Sequence, residues 1–246
     1  MLILLPPSEG KAGEGAGPPL GELSFPALDR SRKRVLTALI KASKRRNALE
    51  VLGLSPGQAE ELPKNLELQT ASTLPAADLY TGVLYEKLGL GTLSDDARKR
   101  AEDSLLIFSG LWGVLRITDH VPPYRLSMGV TLPALGGLAA FWRPKVSKEL
   151  ERLPGLVVDL RSATYAAAWQ PGERSVAVRV FRDGKVVSHM AKATRGEIAR
   201  TLLETGADPA TPGELAEALT GYGYELDLTP PARANRPWTL DVHVSD

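Results

Sequence analysis

Hydrophobic positions along this chain fall into two patterns, short solid runs and longer stretches with helical spacing. Leu2–Leu5 and Leu105–Phe108 are apolar at every position, and Leu156–Leu160 is interrupted only by Asp159. Solid runs of this length predict strands buried on both faces, as in a sheet covered by helices. From Ser175 to His189 the segments SVAVRVF and KVVSH flank Asp183-Gly184. That dipeptide between β-rich runs predicts an antiparallel hairpin, placed here at the edge of the sheet. Leu126–Leu132, Tyr224–Leu228 and Thr239–Val244 read as further strands.

Helical spacing starts at Leu28 and runs to Arg46, with Leu28, Val35, Leu36, Leu39 and Ile40 near one face. Ala76–Leu88 reads as mostly helical, with Gly82 allowing close contact, and Ser94 caps a helix to Asp103. Phe141–Leu153 reads as a helix broken early by Pro144, Glu197–Thr205 as another, and Thr211-Pro212 opens one that reaches Leu219. Strands and helices are interleaved without repeat, low-complexity tract or linker. The pattern predicts a single α/β (α+β) domain over residues 1–246, a mixed β-sheet flanked by helices. Leu2–Leu5, Leu105–Phe108 and Leu156–Leu160 are its expected inner strands.

Composition then narrows the chemistry. With 43% hydrophobic and 24% charged residues over 246 positions, the chain can fill a substantial core. It has no cysteine and three histidines, which excludes disulfides, iron–sulfur clusters and cysteine-bound zinc and disfavours a multi-histidine metal site. No metal and no cofactor is expected. No window approaches a membrane span, and Met1–Leu5 lacks a basic lead-in and stops at Pro6, unlike a signal peptide. A cytoplasmic protein without membrane contact is expected. The net charge of +1 exerts no general pull on nucleic acid, so such binding needs locally gathered cations.

Several stretches gather polar groups where strands end. After Leu105–Phe108 come Ser109, Trp112, Arg116, Asp119, His120, Tyr124 and Arg125, punctuated by Gly110, Gly113 and Pro122-Pro123. A buried strand followed by such a stretch delivers side chains to a cleft. Asp159-Leu160-Arg161-Ser162 repeats the pattern, and Lys11 follows the first strand in PPSEGK, which is not a phosphate-binding GKS or GKT loop. Lys192 and Arg195 stand three apart at the expected start of a helix, suited either to an anionic partner or to an internal acid such as Asp159. The Leu28–Arg46 helix carries Arg30, Arg32, Lys33, Arg34, Lys41, Lys44, Arg45 and Arg46 against Asp29 alone, a face suited to phosphates. Leu49–Leu62 (LEVLGLSPGQAEEL) fits two readings. One is a hairpin offering backbone N–H groups to a DNA phosphate; the other is a plain helix joint with Ser55 as N-cap and Pro56 following.

These motifs together resemble the YaaA family, peroxide stress proteins long catalogued as a family of unknown function. The resemblance rests on MLILLPPSEGK, LYTG at Leu79–Gly82, SGLWGVLR at Ser109–Arg116, PYRLSMG at Pro123–Gly129, VVDLRSATY and AKATRG at Ala191–Gly196, in the family's order. It implies a YaaA-type fold with a positively charged cleft, a helix-hairpin-helix element at residues 49–62, and protection against peroxide through lower free iron. It also implies binding to double-stranded DNA with weak sequence preference. Lys11, Arg116, Arg125, Arg161, Lys192 and Arg195 would line the cleft, with Arg45 and Arg46 as further DNA or anion contacts. The alternative is an enzyme acting on an anionic small molecule, such as a nucleotide or nucleobase, in the same cleft. Its candidate catalytic residues are Ser109, Asp119, Tyr124, Asp159 and His189, since carboxylates and hydroxyls beside cations suit acid–base work.

Overall fold

Strands that are apolar on both faces must be covered on both, and the sheet is assembled accordingly. The computed structural model describes residues 1–13, 15–182, 185–186 and 188–244, with only the backbone at 185, 186, 188 and 189. One mixed sheet contains β1 (Leu2–Leu5), β2 (Leu105–Ser109), β3 (Gly113–Leu115), β4 (Val157–Asp159), β5 (Ser175–Arg182), β6 (Lys185–Val186), β7 (Glu225–Thr229) and β8 (Trp238–His243). Its order is β7-β8-β5-β4-β1-β2-β3, with β6 beside β5. Strands β2, β1, β4, β5 and β8 run parallel to one another, while β3 and β7 are antiparallel edges. Every residue of β1, β2 and β4 is buried, as their solid apolar runs require.

Helices α1 (Asp29–Ser43), α2 (Ala48–Leu52), α3 (Leu62–Leu66), α4 (Val83–Leu88), α5 (Asp95–Ser104), α6 (Leu138–Leu150), α7 (Ser188–Thr205) and α8 (Pro212–Gly221) complete the larger elements. A single cluster of buried apolar side chains runs from Leu2 to Val242. Among the described residues no helix is long and apolar enough to cross a membrane. From β1 the chain crosses to β2 on one side, then returns past β1 to β4 on the other. Loops leaving the carboxyl ends of β1 and β4 therefore diverge, and a crevice opens between them.

The three expected inner strands occupy the expected places, but several elements differ from the sequence pattern. Strand β5 is no edge: β4 and β8 pair with it on both sides, and β6 touches only its end, Lys185 opposite Arg182 and Val186 opposite Phe181. The antiparallel pairing expected on either side of Asp183-Gly184 is thus present but short, while Val176, Val178 and Val180 are buried in long-range parallel pairing that places β5 inside the sheet. The Asp183-Gly184 turn lies outside the described residues, and Ser188 already belongs to α7. The expected strand at Leu126–Leu132 is reduced to Thr131–Leu132, paired with Gly136–Gly137. Ala76–Leu88 splits at Gly82, whose φ of 93° interrupts the helical path. Helix α6 continues through Pro144 because Leu138, Phe141, Trp142, Val146 and Leu150 anchor it in the core on both sides of the proline.

Helix α7 starts nine residues before the expected Glu197, so Lys192 and Arg195 lie within it rather than at its dipole-bearing end. Gly196, within α7, marks the contact between α7 and α4. A Cβ there would sit 2.2 Å from the Leu84 carbonyl oxygen and 2.9 Å from the Lys87 Cβ. Arg32 also departs from its expected place on the basic face. It is 3% exposed and donates to the Trp112, Val114, Ser24 and Phe25 carbonyls and to Asp29, tying α1 to the turn between β2 and β3.

Two substitutions check these contacts. Arg32→Ala leaves several buried carbonyls without donors, and chemical denaturation should show a loss on the order of 3–5 kcal/mol. Gly196→Ala should lower stability by about 1–3 kcal/mol despite alanine's better helix propensity, because backbone rather than a flexible side chain stands in the way. Unchanged unfolding midpoints would show that the two contacts contribute nothing.

Candidate functional site

The crevice at the strand ends is closed into a cavity by a loop stitched to its neighbour. Pro6-Pro7 carry the chain straight out of β1, and the loop then pairs with the segment preceding α4. Lys11 bridges Tyr80 in antiparallel fashion, the Ala12 N–H donates to the Leu79 carbonyl at 2.8 Å, and the Thr81 N–H donates to Ser8 Oγ at 3.0 Å. Tyr85 Oη donates to the Pro6 carbonyl at 2.7 Å from below. The resulting cavity has a volume of about 470 Å3. Its walls come from the loop after β1, the start of α4, Arg125–Ser127, Ser162 and Tyr165 beyond β4, and the middle of α7.

Four cations named from the sequence line this cavity: Lys11, Arg125, Lys192 and Arg195. Glu9 is the acid among its described walls, and it meets Arg125 Nη2 at 3.3 Å from a largely exposed position. Asn65, fully buried on α3, accepts from the Arg125 N–H at 2.8 Å and donates to the Arg125 carbonyl at 2.9 Å. This amide clamp positions Arg125 over the cavity as a strand partner would. Arg195 donates from Nη2 to the Val178 carbonyl at 3.2 Å, while its buried Nε has no hydrogen-bond partner among the described residues. Burial lowers the Arg195 pKa.

Lys11 is the most perturbed of the four. Its Nζ donates to the Ser8 carbonyl at 3.0 Å and lies 4.6 Å from the Tyr124 ring centroid and 5.7 Å from that of Tyr80. Burial, with the charge of Arg125 adding to it, lowers its pKa to about 7, against the weaker opposing pull of Glu61 and Glu9. Below it runs a chain of buried hydroxyls. Tyr124 Oη lies 2.9 Å from Tyr80 Oη and 2.6 Å from Ser109 Oγ, and Ser109 Oγ accepts from the Leu111 and Trp112 N–H groups. Burial raises the pKa of Tyr80, Tyr85, Tyr124 and Tyr165, so these phenols form a neutral floor and wall.

The remaining candidates lie elsewhere. Arg161, 4% exposed, donates to both carboxylate oxygens of Asp159 at 2.8 and 2.6 Å and to the Trp169 carbonyl, locking the turn after β4. Arg116 donates to the Glu102 and Asp103 carbonyls and so caps the carboxyl end of α5. Asp119 accepts from the Ser24 N–H, Ser24 Oγ and the Arg116 N–H. Ser109 and Tyr124 are buried beneath the cavity. The side chain of His189 lies outside the described residues. Among the described residues no three His, Asp or Glu side chains gather as metal ligands. Asn65, Tyr165 and Glu9 entered the site unheralded; the PYRLSMG and strand-end motifs mark their neighbourhood, but no periodicity singles them out.

Other cations form a separate surface. Arg30, Lys33, Arg34 and Lys41 on the exposed face of α1 line an open groove of about 460 Å3 with Ala134 and Leu135, and among the described residues no acid lines it. Arg45 and Arg46 are exposed in the turn after α1 and line neither hollow. The 49–62 stretch consists of α2, a left-handed Gly53 at φ 65°, and a 3-10 turn (Pro56–Glu61) opened by a reciprocal Ser55–Gln58 capping box.

Known proteins are similar to this chain over most or all of its length. A protein of Streptomyces coelicolor named only as UPF0246 is 53% identical, covering 100% of this chain and 99% of its own. A UPF0246 protein of Corynebacterium efficiens is 42% identical over 93% of this chain and 95% of its own. An uncharacterized protein of Campylobacter jejuni is 31% identical over 80% and 82%. The family model described as peroxide stress protein YaaA matches residues 1–228, and the chain belongs to that family.

Proposed function

We propose that this member of a peroxide stress family binds a small anionic molecule, of the size of a nucleotide or nucleobase derivative, in the cavity at the strand ends. The convergence of Lys11, Arg125, Lys192 and Arg195 on one cavity carries this reading. Cations held together with one exposed acid repel one another, and a bound anion turns that repulsion into attraction. A volume of about 470 Å3 suits a small molecule, whereas a duplex meets protein on an outer face. Protection from iron-dependent damage would follow from that ligand rather than from an iron site. The cysteine-free chain suits a reducing compartment, and the reading places it in the cytoplasm.

Binding to double-stranded DNA is a second reading, favoured by the acid-free basic face of α1 and not by the cavity. Arg30, Lys33, Arg34 and Lys41 repeat along one side of the helix at a spacing suited to successive phosphates, with Arg45 and Arg46 beyond. In this reading the turn at residues 49–62 offers the helix-hairpin-helix contact, short of one donor because Pro56 lacks an N–H.

Sulfate tests the first reading because its charge is constant near neutral pH. In the free protein the depressed Lys11 pKa means that its charge opposes folding below about pH 7, an opposition that fades as pH rises toward 10.5. An anion in the cavity reverses that preference and draws a proton onto Lys11. Sulfate affinity, followed by thermal shift, should therefore fall on the order of tenfold between about pH 6 and pH 8.5, and pyrophosphate and nucleoside monophosphates should compete. The Arg125→Ala/Lys192→Ala variant should lose the shift; an equal shift in the variant would place the anion elsewhere.

For the second reading, gel shifts with unrelated duplexes at two salt concentrations are decisive. Affinity should drop with salt, and Lys33→Glu/Arg34→Glu should weaken all duplexes about tenfold or more. Binding unaffected by this charge reversal would remove the α1 face from consideration.

A further inference from the structure

The cation cluster explains how an anion is held, but not why one of its members is an amine set against aromatic faces. Among the described residues Lys11 makes no ion pair: its Nζ has the Ser8 carbonyl as hydrogen-bond acceptor and the rings of Tyr124 and Tyr80 as neighbours. Lys192, by contrast, is exposed. The other nucleophiles of the walls lack activation. Among the described residues, Ser8, Thr81, Ser127 and Ser162 have no hydrogen bond to a histidine or carboxylate that would take their proton. The phenols of Tyr85 and Tyr165 are kept neutral by burial. A lysine desolvated beside another cation is an established way of making a nucleophilic amine.

We propose that Lys11 is the reacting group of the cavity and forms an imine with an anionic carbonyl compound, an oxo acid or a phosphorylated aldehyde or ketone, held by Arg125, Lys192 and Arg195. The Nζ lone pair attacks the carbonyl carbon, forming the C–N bond while the C=O π pair moves to oxygen. That oxygen then leaves as water with the two amine hydrogens, and the C=N bond remains. Protonation of the imine nitrogen lets it draw electrons from the neighbouring carbon, the step that imine-forming lysines use. The charged groups acting on the amine are Arg125, Glu9, Glu61 and Lys64, with Tyr80 and Tyr124 as its neutral support.

This inference rests on the anion-site reading, and the experiment separates the two. The full chain is incubated at about pH 7.5 with pyridoxal 5′-phosphate or glyoxylate, reduced with borohydride, and analysed by intact mass and peptide mapping. Lys11 should carry the reduced adduct, forming on the order of tenfold faster than on any other lysine, because far more of its amine is unprotonated at that pH. Sulfate should slow it, and acidification below pH 7 should suppress it. Lys11→Arg should abolish the adduct while keeping the sulfate-induced thermal shift. Adducts spread over exposed lysines, or centred on Lys192, with the sulfate shift intact, overturn the imine and leave the anion site standing. Loss of both sulfate stabilisation and Lys11 labelling overturns both.

Discussion

Parallel pairing of β1 with both β2 and β4 is the constraint on which the rest of the structure depends. Parallel strands send their following loops to the same end of the sheet, and here the chain visits one neighbour of β1 before the other. The loop after β1, the segment carrying Arg125 and the turn after β4 are thereby delivered to one crevice from distant parts of the sequence. Helix α7 closes it because it returns along β5 and packs its Gly196 face on α4. Without the bare glycine, α7 could not approach closely enough to bring Lys192 and Arg195 to the same cavity.

Within that frame, the cations divide by what satisfies them. Arg32, Arg116 and Arg161 spend their donors on backbone carbonyls and internal carboxylates and hold the fold together. Guanidinium suits this work because its fixed fork reaches several carbonyls at once and keeps its charge when buried. Lys11, Arg125, Lys192 and Arg195 instead face open volume, with fewer internal acceptors than donors. Like charges gathered in this way raise the energy of the free protein. The α1 face differs again, since its cations are solvated and spaced along a helix, an arrangement without such strain.

The two surfaces differ in shape: one is a cavity lined by cations from distant parts of the chain, the other an open basic helix face. The residues lining the two do not overlap. Lys11 stands out because burial against aromatic rings lowers the pKa of its amine.

The sequence by itself determined the inner strands, the amphipathic α1, the membership in a family, and the neighbourhoods where polar groups collect. Solid apolar runs, helical spacing and motif order are local signals, and local signals are written in consecutive residues. Only the tertiary structure decided that β5 lies inside the sheet, that α7 begins at Ser188, and that Pro144 is carried within a helix. In each case long-range packing outweighed a local preference. The same holds for the site: Arg116 and Lys11 look alike in sequence, each a cation after an apolar strand. The fold gives one a helix end to cap and the other an aromatic wall and an open cavity, because the acceptors that decide a cation's role come from residues far away along the chain.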